Sequence, residues 1–205
     1  MEVQLSAAGP ADPASVEEAA RELRRGDPAA FAELVQTHQD RVYDFCVRML
    51  GDREEALEIV QEIFVSVHQA LPTFRFDSKV STWIYRISKN HCLNRLKYLE
   101  RRGRGRSDGL DDVPEEALGN AAGAPTRPDD ALQAEHERLM VQRAIARLEP
   151  DARALVALRD IEGLSYEEMV EITQLPLGTV KSRLHRAREK LAEYLVEEIP
   201  EGERV

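Results

Sequence analysis

Two cysteines, one tryptophan and an aromatic content of 5% are sparse for a chain of 205 residues, and each scarcity removes a class of protein. Neither Cys46 nor Cys92 stands in a CxxC or Cys/His set with zinc spacing. A disulfide scaffold and a zinc module are therefore excluded, and two reduced, partly buried thiols are expected. Alternating runs of β-branched and aromatic residues are hard to find, while Ala, Leu, Glu and Arg dominate, so the fold class is all-α. No apolar run approaches the ~20 residues of a membrane span. The N-terminus also lacks a charged start followed by a hydrophobic stretch, so a cytoplasmic protein without membrane insertion is expected. Walker loop, HExxH, nucleophile elbow and dinucleotide fingerprint are all missing, so the chain is read as no enzyme, with no cofactor, metal or small-molecule substrate.

What is present is charge, and it is segregated. The net charge is -10, yet Lys79 to Arg106 holds nine Lys/Arg against the single acid Glu100, a net +8. Thr179 to Leu191 holds five against one, a net +4. Two basic islands in an acidic background fit a protein that meets nucleic acid locally while its remainder opposes nonspecific binding or faces a basic protein partner.

In chain order, residues 1–23 read as a loose leader. From Pro28 a helix carries Phe31, Leu34, Val35, Val42, Phe45, Met49 and Leu50 on one face and stops at Gly51. Asp52 caps a second helix, with Glu55 three residues on, whose core stripe is Ala56, Ile59, Val60, Ile63, Phe64 and Val67. The other side of this helix carries Glu55, Glu58, Glu62 and Val65, equally readable as a partner surface or as a solvated face. Pro72 breaks it. A polar and aromatic loop, Phe74 to Lys79, precedes a helix with Trp83, Ile84, Ile87 and Leu93 on its apolar positions and Arg86, Lys89, Asn90, Arg95 and Lys97 beyond them. Rings beside cations suit single-stranded nucleic acid, although core packing is the commoner fate of a residue such as Trp83.

Residues 103–131 hold five glycines and three prolines, a composition that cannot bury enough apolar surface to order itself. The expected division is therefore a domain over 24–100, a linker over 101–133, a second domain over 134–198 and a tail over 199–205. The second domain contains GLSYEEMVEITQLPLGTVKSRLHRAREKL, Gly163 to Leu191. Ser165 and Glu168 form a capping box, and the Pro176-Leu177-Gly178 run predicts a turn. Thr179 is placed to cap a second helix with Val180, Leu184, Ala187 and Leu191 inward. That leaves Ser182, His185, Arg186 and Glu189 outward, flanked by Lys181 and Arg188 on one side and Arg183 and Lys190 on the other. Donors toward base edges between cations toward phosphates make a helix-turn-helix the better reading than a merely solvated basic face.

EIVQEIF at Glu58 to Phe64, FRFDSKVSTWIYRISKN at Phe74 to Asn90 and the helix-turn-helix block together resemble an extracytoplasmic-function (group IV) sigma factor of bacterial RNA polymerase. The resemblance implies an alternative sigma factor with a sigma-two and a sigma-four domain that binds core RNA polymerase and directs promoter recognition, local melting and transcription initiation. It implies that Glu58, Gln61, Glu62 and Phe64 dock on core polymerase. Phe74, Asp77, Ser78, Lys79 and Asn90 would capture a flipped base of the minus-ten element, with Trp83 in the melting segment beside them, and Arg86, Lys89, Arg95 and Lys97 would hold the nearby backbone. Thr179, Lys181, Ser182, Arg183, His185, Arg186 and Arg188 would read the minus-thirty-five element. A cognate anti-sigma factor is implied as a further partner. The chain departs from the family pattern at Phe76, Lys79, Val80 and His185. The alternatives are a LuxR-like duplex-binding dimer, against which the FRFDSKVSTWIYRISKN block stands, and a helical adaptor that never touches DNA, against which the two basic islands stand.

Overall fold

The computed structural model describes residues 25–75, 77–103 and 139–198. The leader, Phe76, most of the linker and the tail lie outside these described residues, which are helical apart from turns. Helix α1, Pro28–Leu50, begins where the Asp27 side chain accepts from the amides of Ala29 at 2.7 Å and Ala30 at 3.3 Å. Pro28 at its first position gives up an N–H that would have had no partner. It ends at Gly51, whose φ of 71° lets its N–H return to the Val47 carbonyl at 2.8 Å, the left-handed cap that glycine adopts without penalty. Asp52 accepts from the Glu55 amide at 3.0 Å and opens α2, Arg53–Ala70. A single 3-10 turn at Leu71–Thr73, carrying Pro72, closes it. Helix α3 runs Val80–Arg101.

These three helices pack on one another through Phe45, Met49, Ile59, Ile63, Val67 and Ile84, each at most 1% exposed. At about 1.5–3 kcal/mol for each such side chain removed from water, this core is the main source of the domain's stability. Cys46 and Cys92 are both fully buried, and their sulfurs lie 3.7 Å apart as free thiols. They are thus deeper than the partial burial expected, and they touch each other.

The second domain comprises helical residues 139–146 (α4), α5 at Pro150–Val156 continued by a π turn over Ala157–Ile161, α6 at Tyr166–Thr173 and α7 at Leu177–Glu198. Its core joins Ile145, Leu148, Leu158, Met169, Ile172, Val180, Leu184 and Ala187. The Ser165/Glu168 capping box is present, with both hydrogen bonds made.

The turn between α6 and α7 differs from its sequence reading. The reversal occurs at Gln174, with φ 58°, and not at Gly178. Its N–H reaches the Val170 carbonyl at 2.8 Å and its side-chain amide the Glu171 carbonyl at 2.6 Å, which offset the ~1–2 kcal/mol cost of a non-glycine residue in this region. Helix α7 therefore starts at Leu177, its first bond running from the Val180 amide to the Pro176 carbonyl at 3.0 Å. Thr179 sits inside the first turn and is not the cap.

The two domains are in contact. The N-terminal half of α3 faces α6, and Arg153 of α5 reaches across to the end of α1, donating to the Met49 carbonyl at 2.5 Å.

Candidate nucleic-acid interface

The recognition helix α7 is built as its apolar spacing requires. Val180, Leu184 and Ala187 are at most 2% exposed, so one face is fixed against the domain core. Lys181, Ser182, Arg183, His185, Arg186 and Arg188 are all on the exposed side, with Thr179 half-buried at its N-terminal end. Two of the cations are held by the rest of the domain. Lys181 Nζ stands 5.3 Å above the Tyr166 ring, on whose centroid the Arg159 guanidinium also lies at 4.8 Å. Arg188 donates through Nε to Asp160 Oδ2 at 3.1 Å and through Nη2 to Oδ1. The hydrogen bond to Asp160, helped by that carboxylate's charge, holds the Arg188 guanidinium above its ordinary range although burial opposes this. His185 pairs with Glu189 one turn on, at 3.5 Å. Arg186 and Arg183 project outward between these tethered groups.

The residues expected at the minus-ten element are not all brought to one face. Phe74 and Trp83 are 9% and 6% exposed and stacked on each other, with centroids 4.3 Å apart and planes at 16°. They form a wall of the core. Asp77, Ser78, Thr82, Trp83 and Arg86 line a cleft closed on its far side by Glu171 and Gln174 of the second domain. Asn90 and Lys97 are exposed farther along α3. Lys89 is half-buried, and desolvation lowers its ammonium from the usual value although Asp151 opposes this. Arg95 lies against α2, with Nη1 2.9 Å from Glu55 Oε2 and 3.3 Å from Glu58 Oε2, and Nη2 3.0 Å from Glu62 Oε1. Its charge organises the acidic face.

That acidic face carries the residues expected to meet core polymerase. Glu58, Gln61, Glu62, Val65, Ser66 and His91 line one shallow groove. Ser66 Oγ lies 3.0 Å from His91 Nε2, and Glu62 lies 3.7 Å from His91 Nδ1. Leu57 and Val65 are 55% and 56% exposed, so the surface combines acid with uncovered apolar area. Phe64 is separate from it, turned into the core at 8% exposure.

Five residues at the contact between the domains had no signal in the sequence. The Glu162 side chain is only 7% exposed. It accepts from Arg41 Nε at 3.2 Å and Nη2 at 3.0 Å and from the Tyr85 hydroxyl, with Arg48 Nη1 3.6 Å away. Burial, and then the Glu162 carboxylate, push the Tyr85 phenol well above its usual value, so it stays a donor. Arg153 donates to the carbonyls of Met49, Ala146 and Leu148, and desolvation lowers its guanidinium from the usual value although Glu149 opposes this.

A helical domain with an acidic groove and a basic loop-helix face, followed by a helix-turn-helix, defines a protein that binds both a protein partner and DNA. Comparison with known proteins gives the family. The Sigma-70 region 2 model matches residues 34–102 and the Sigma-70 region 4 model residues 138–191. The extracytoplasmic-function sigma factor SigW of Bacillus subtilis is 33% identical over 181 residues, covering 85% of this chain and 94% of its own. The sigma-E factor of Escherichia coli is 37% identical over 172 residues, covering 82% and 88%. Two solved structures share the fold: CnrH in complex with the cytosolic domain of CnrY (TM-score 0.61, 22% identity, covering 87% of this chain and 95% of that one), and RpoE of Bartonella quintana in complex with the anti-sigma factor NepR (TM-score 0.57, 23% identity, covering 80% and 96%). The chain belongs to the extracytoplasmic-function family of RNA polymerase sigma factors. It is an alternative sigma factor, a regulatory protein and not an enzyme, that directs promoter-specific transcription initiation. No helix among the described residues is long and apolar enough to cross a membrane.

Proposed function

We propose that this sigma factor divides its task among three surfaces, each assigned to particular residues. The groove of Glu58, Gln61 and Glu62, with the exposed Leu57 and Val65 beside it, docks on core RNA polymerase. Phe64 supports that surface from beneath. The face of Asp77, Ser78, Lys79, Arg86 and Asn90, backed by the Phe74 and Trp83 rings, receives the melted minus-ten strand, while Lys89 and Lys97 supply positive charge along it and Arg95, held by Glu55, Glu58 and Glu62, orders the neighbouring acidic groove. Lys181, Ser182, His185 and Arg186, flanked by Thr179, Arg183 and Arg188, read the minus-thirty-five duplex. The domains extend over residues 24–100 and 134–198, and the protein works in the cytoplasm under a cognate anti-sigma factor, a partner supported by the NepR complex of the structural relative.

The observation that carries this reading is the fixed orientation of α7: with Val180, Leu184 and Ala187 buried, the donors Ser182, His185 and Arg186 have only the solvent side to occupy, where a major groove can be met. Run-off transcription with purified core polymerase, this chain and sheared genomic DNA from its source tests it. Discrete transcripts sharing two upstream elements at fixed spacing, lost selectively on Arg186→Ala, are expected. Transcripts unaffected by Arg186→Ala and by Lys181→Ala would remove the assignment of α7.

A further inference from the structure

The groove that this reading gives to core polymerase is not built by α2 alone. His91 of α3 lies in it, its side chain 28% exposed, beside the side chains of Glu62 at 54% and Glu58 at 68%. Glu62 is shared between two side chains of α3. Its Oε1 accepts from Arg95 Nη2 at 3.0 Å, and its Oε2 stands 3.7 Å from His91 Nδ1, just past hydrogen-bond range. An ionised carboxylate only accepts, so the neutral ring carries its hydrogen on Nδ1, toward Glu62. Its Nε2 is then left to accept from the Ser66 hydroxyl at 3.0 Å.

The charged groups around the ring come from two helices. Helix α2 contributes Glu62 and, along the same groove, Glu58. Helix α3 contributes Arg95 one turn on, itself held by Glu55, Glu58 and Glu62. Helix α1 meets α3 one residue further along, where Cys46 lies against Cys92. A guanidinium keeps its charge at every working pH, so the hold of Arg95 on the carboxylates is constant. Imidazole differs, because it ordinarily changes charge between about pH 5 and pH 8. A second proton on the ring would turn the 3.7 Å gap to Glu62 into an ion pair and engage the oxygen that Arg95 leaves over.

We propose that His91 is a docking residue of the polymerase surface and that only its neutral imidazole leaves Glu62 to the partner, so that core binding weakens on acidification. The inference rests on the assignment of this groove to core polymerase. An acidic groove selects a basic partner surface by charge complementarity. An imidazolium opposes that partner twice, by adding like charge to the groove and by occupying Glu62.

The test is equilibrium binding of the full chain, labelled at its amino terminus, to purified core polymerase from about pH 8 to about pH 6 at fixed ionic strength. His91→Gln keeps a neutral hydrogen-bonding group beside Ser66, and His91→Lys places a permanent charge there. Unchanged far-ultraviolet circular dichroism would verify both folds. The other histidines and the polymerase titrate alike in every mixture, so the difference between curves isolates position 91. Near pH 8, His91→Gln should match the wild type while His91→Lys binds about three- to fivefold more weakly, the size of one exposed ion pair. Near pH 6 the wild type should have weakened by about that factor relative to His91→Gln and should meet the His91→Lys curve.

Parallel curves for wild type and His91→Gln, or a His91→Lys chain that binds like wild type near pH 8, would overturn the role of His91. The docking assignment is tested separately by reversing Glu58 and Glu62 to Arg. If that double reversal leaves core affinity intact, the groove is not the docking surface, and the inference about His91 fails with it. If the reversal abolishes binding while the wild-type and His91→Gln curves stay parallel, the docking surface stands and only His91 is removed from it.

Discussion

Phe74 and Trp83 stack face to face across the junction between the loop and α3, their centroids 4.3 Å apart, and both are more than nine-tenths buried. Rings that fill a core cannot also stand in solvent waiting for a base. Their contribution to strand capture is therefore rigidity: the loop from Asp77 to Lys79 is anchored at one end by Phe74 and at the other by the helix that Trp83 locks down. Trp83→Ala should cost about 3–5 kcal/mol of unfolding free energy, measured by urea denaturation of the isolated chain. Because Trp83 is the single tryptophan, its emission should be blue-shifted in the native chain and unquenched when a holoenzyme binds melted promoter DNA. Strong quenching on strand binding would place the ring against a base after all.

The recognition helix separates base readers from phosphate holders by how firmly each side chain is tethered. Arg186 projects from the exposed face of α7, whereas Lys181 rests on the Tyr166 ring and Arg188 on Asp160. Arg186→Ala should cost about 1–3 kcal/mol at particular minus-thirty-five base pairs, while Lys181→Ala should weaken all sites alike and lower the logarithmic salt slope by about one. Promoter binding across a set of single-base variants at several salt concentrations distinguishes them. Equal losses on every sequence from both substitutions would contradict the division.

Helix starts and faces were legible in the sequence because they are local. The Asp52 cap, Gly51 stop, Ser165/Glu168 capping box and α7 stripe each involve residues within a turn or two of one another. The turn was misassigned for a related reason. Gly178 is a strong local signal, but Gln174 can reach its left-handed conformation by bonding Val170 and Glu171, and that compensation is invisible in composition. The contact between domains was not legible at all. Glu162 meets Arg41 across 121 positions and Tyr85 across 77, and Arg153 meets the Met49 carbonyl across 104; no periodicity encodes such pairs. Arg95, grouped by its charge with the DNA-facing cations, lies instead among the carboxylates of α2, because helix spacing gives a face and not the neighbour it meets.

The thiols of Cys46 and Cys92 are neighbours without being a reactive pair. The Cys46 thiol is pushed well above its usual value by its hydrogen bond to Cys92 and then by burial, and neither sulfur is exposed. The thiolate is the reacting species, so both groups should resist a bulky disulfide reagent in the native state and react only through unfolding. The labelling rate should rise with urea in step with the unfolding equilibrium. Fast stoichiometric labelling of the folded chain would show that the core opens around these helices.

Glu168 couples acidity to the contact between domains. Burial alone raises its carboxyl, but the Ser165 amide and then Lys79 outweigh that effect and leave it below the usual value of 4.5. A carboxyl depressed in the folded state contributes stability that is fully present above its unfolded value and is lost as pH falls through the folded one. The stabilising effect of this carboxylate should therefore be constant near neutrality and disappear with acidification below about pH 4.5. In urea titrations of the full chain at a series of pH values, the midpoint difference between wild type and Glu168→Gln should be flat at neutral pH and shrink in the acid range. Lys79→Met should abolish much of that pH dependence while leaving the capping box intact. A midpoint difference that grows on acidification would mean that the protonated carboxyl is the stabilising form, and the ion pair with Lys79 could not then be what holds α6 against α3.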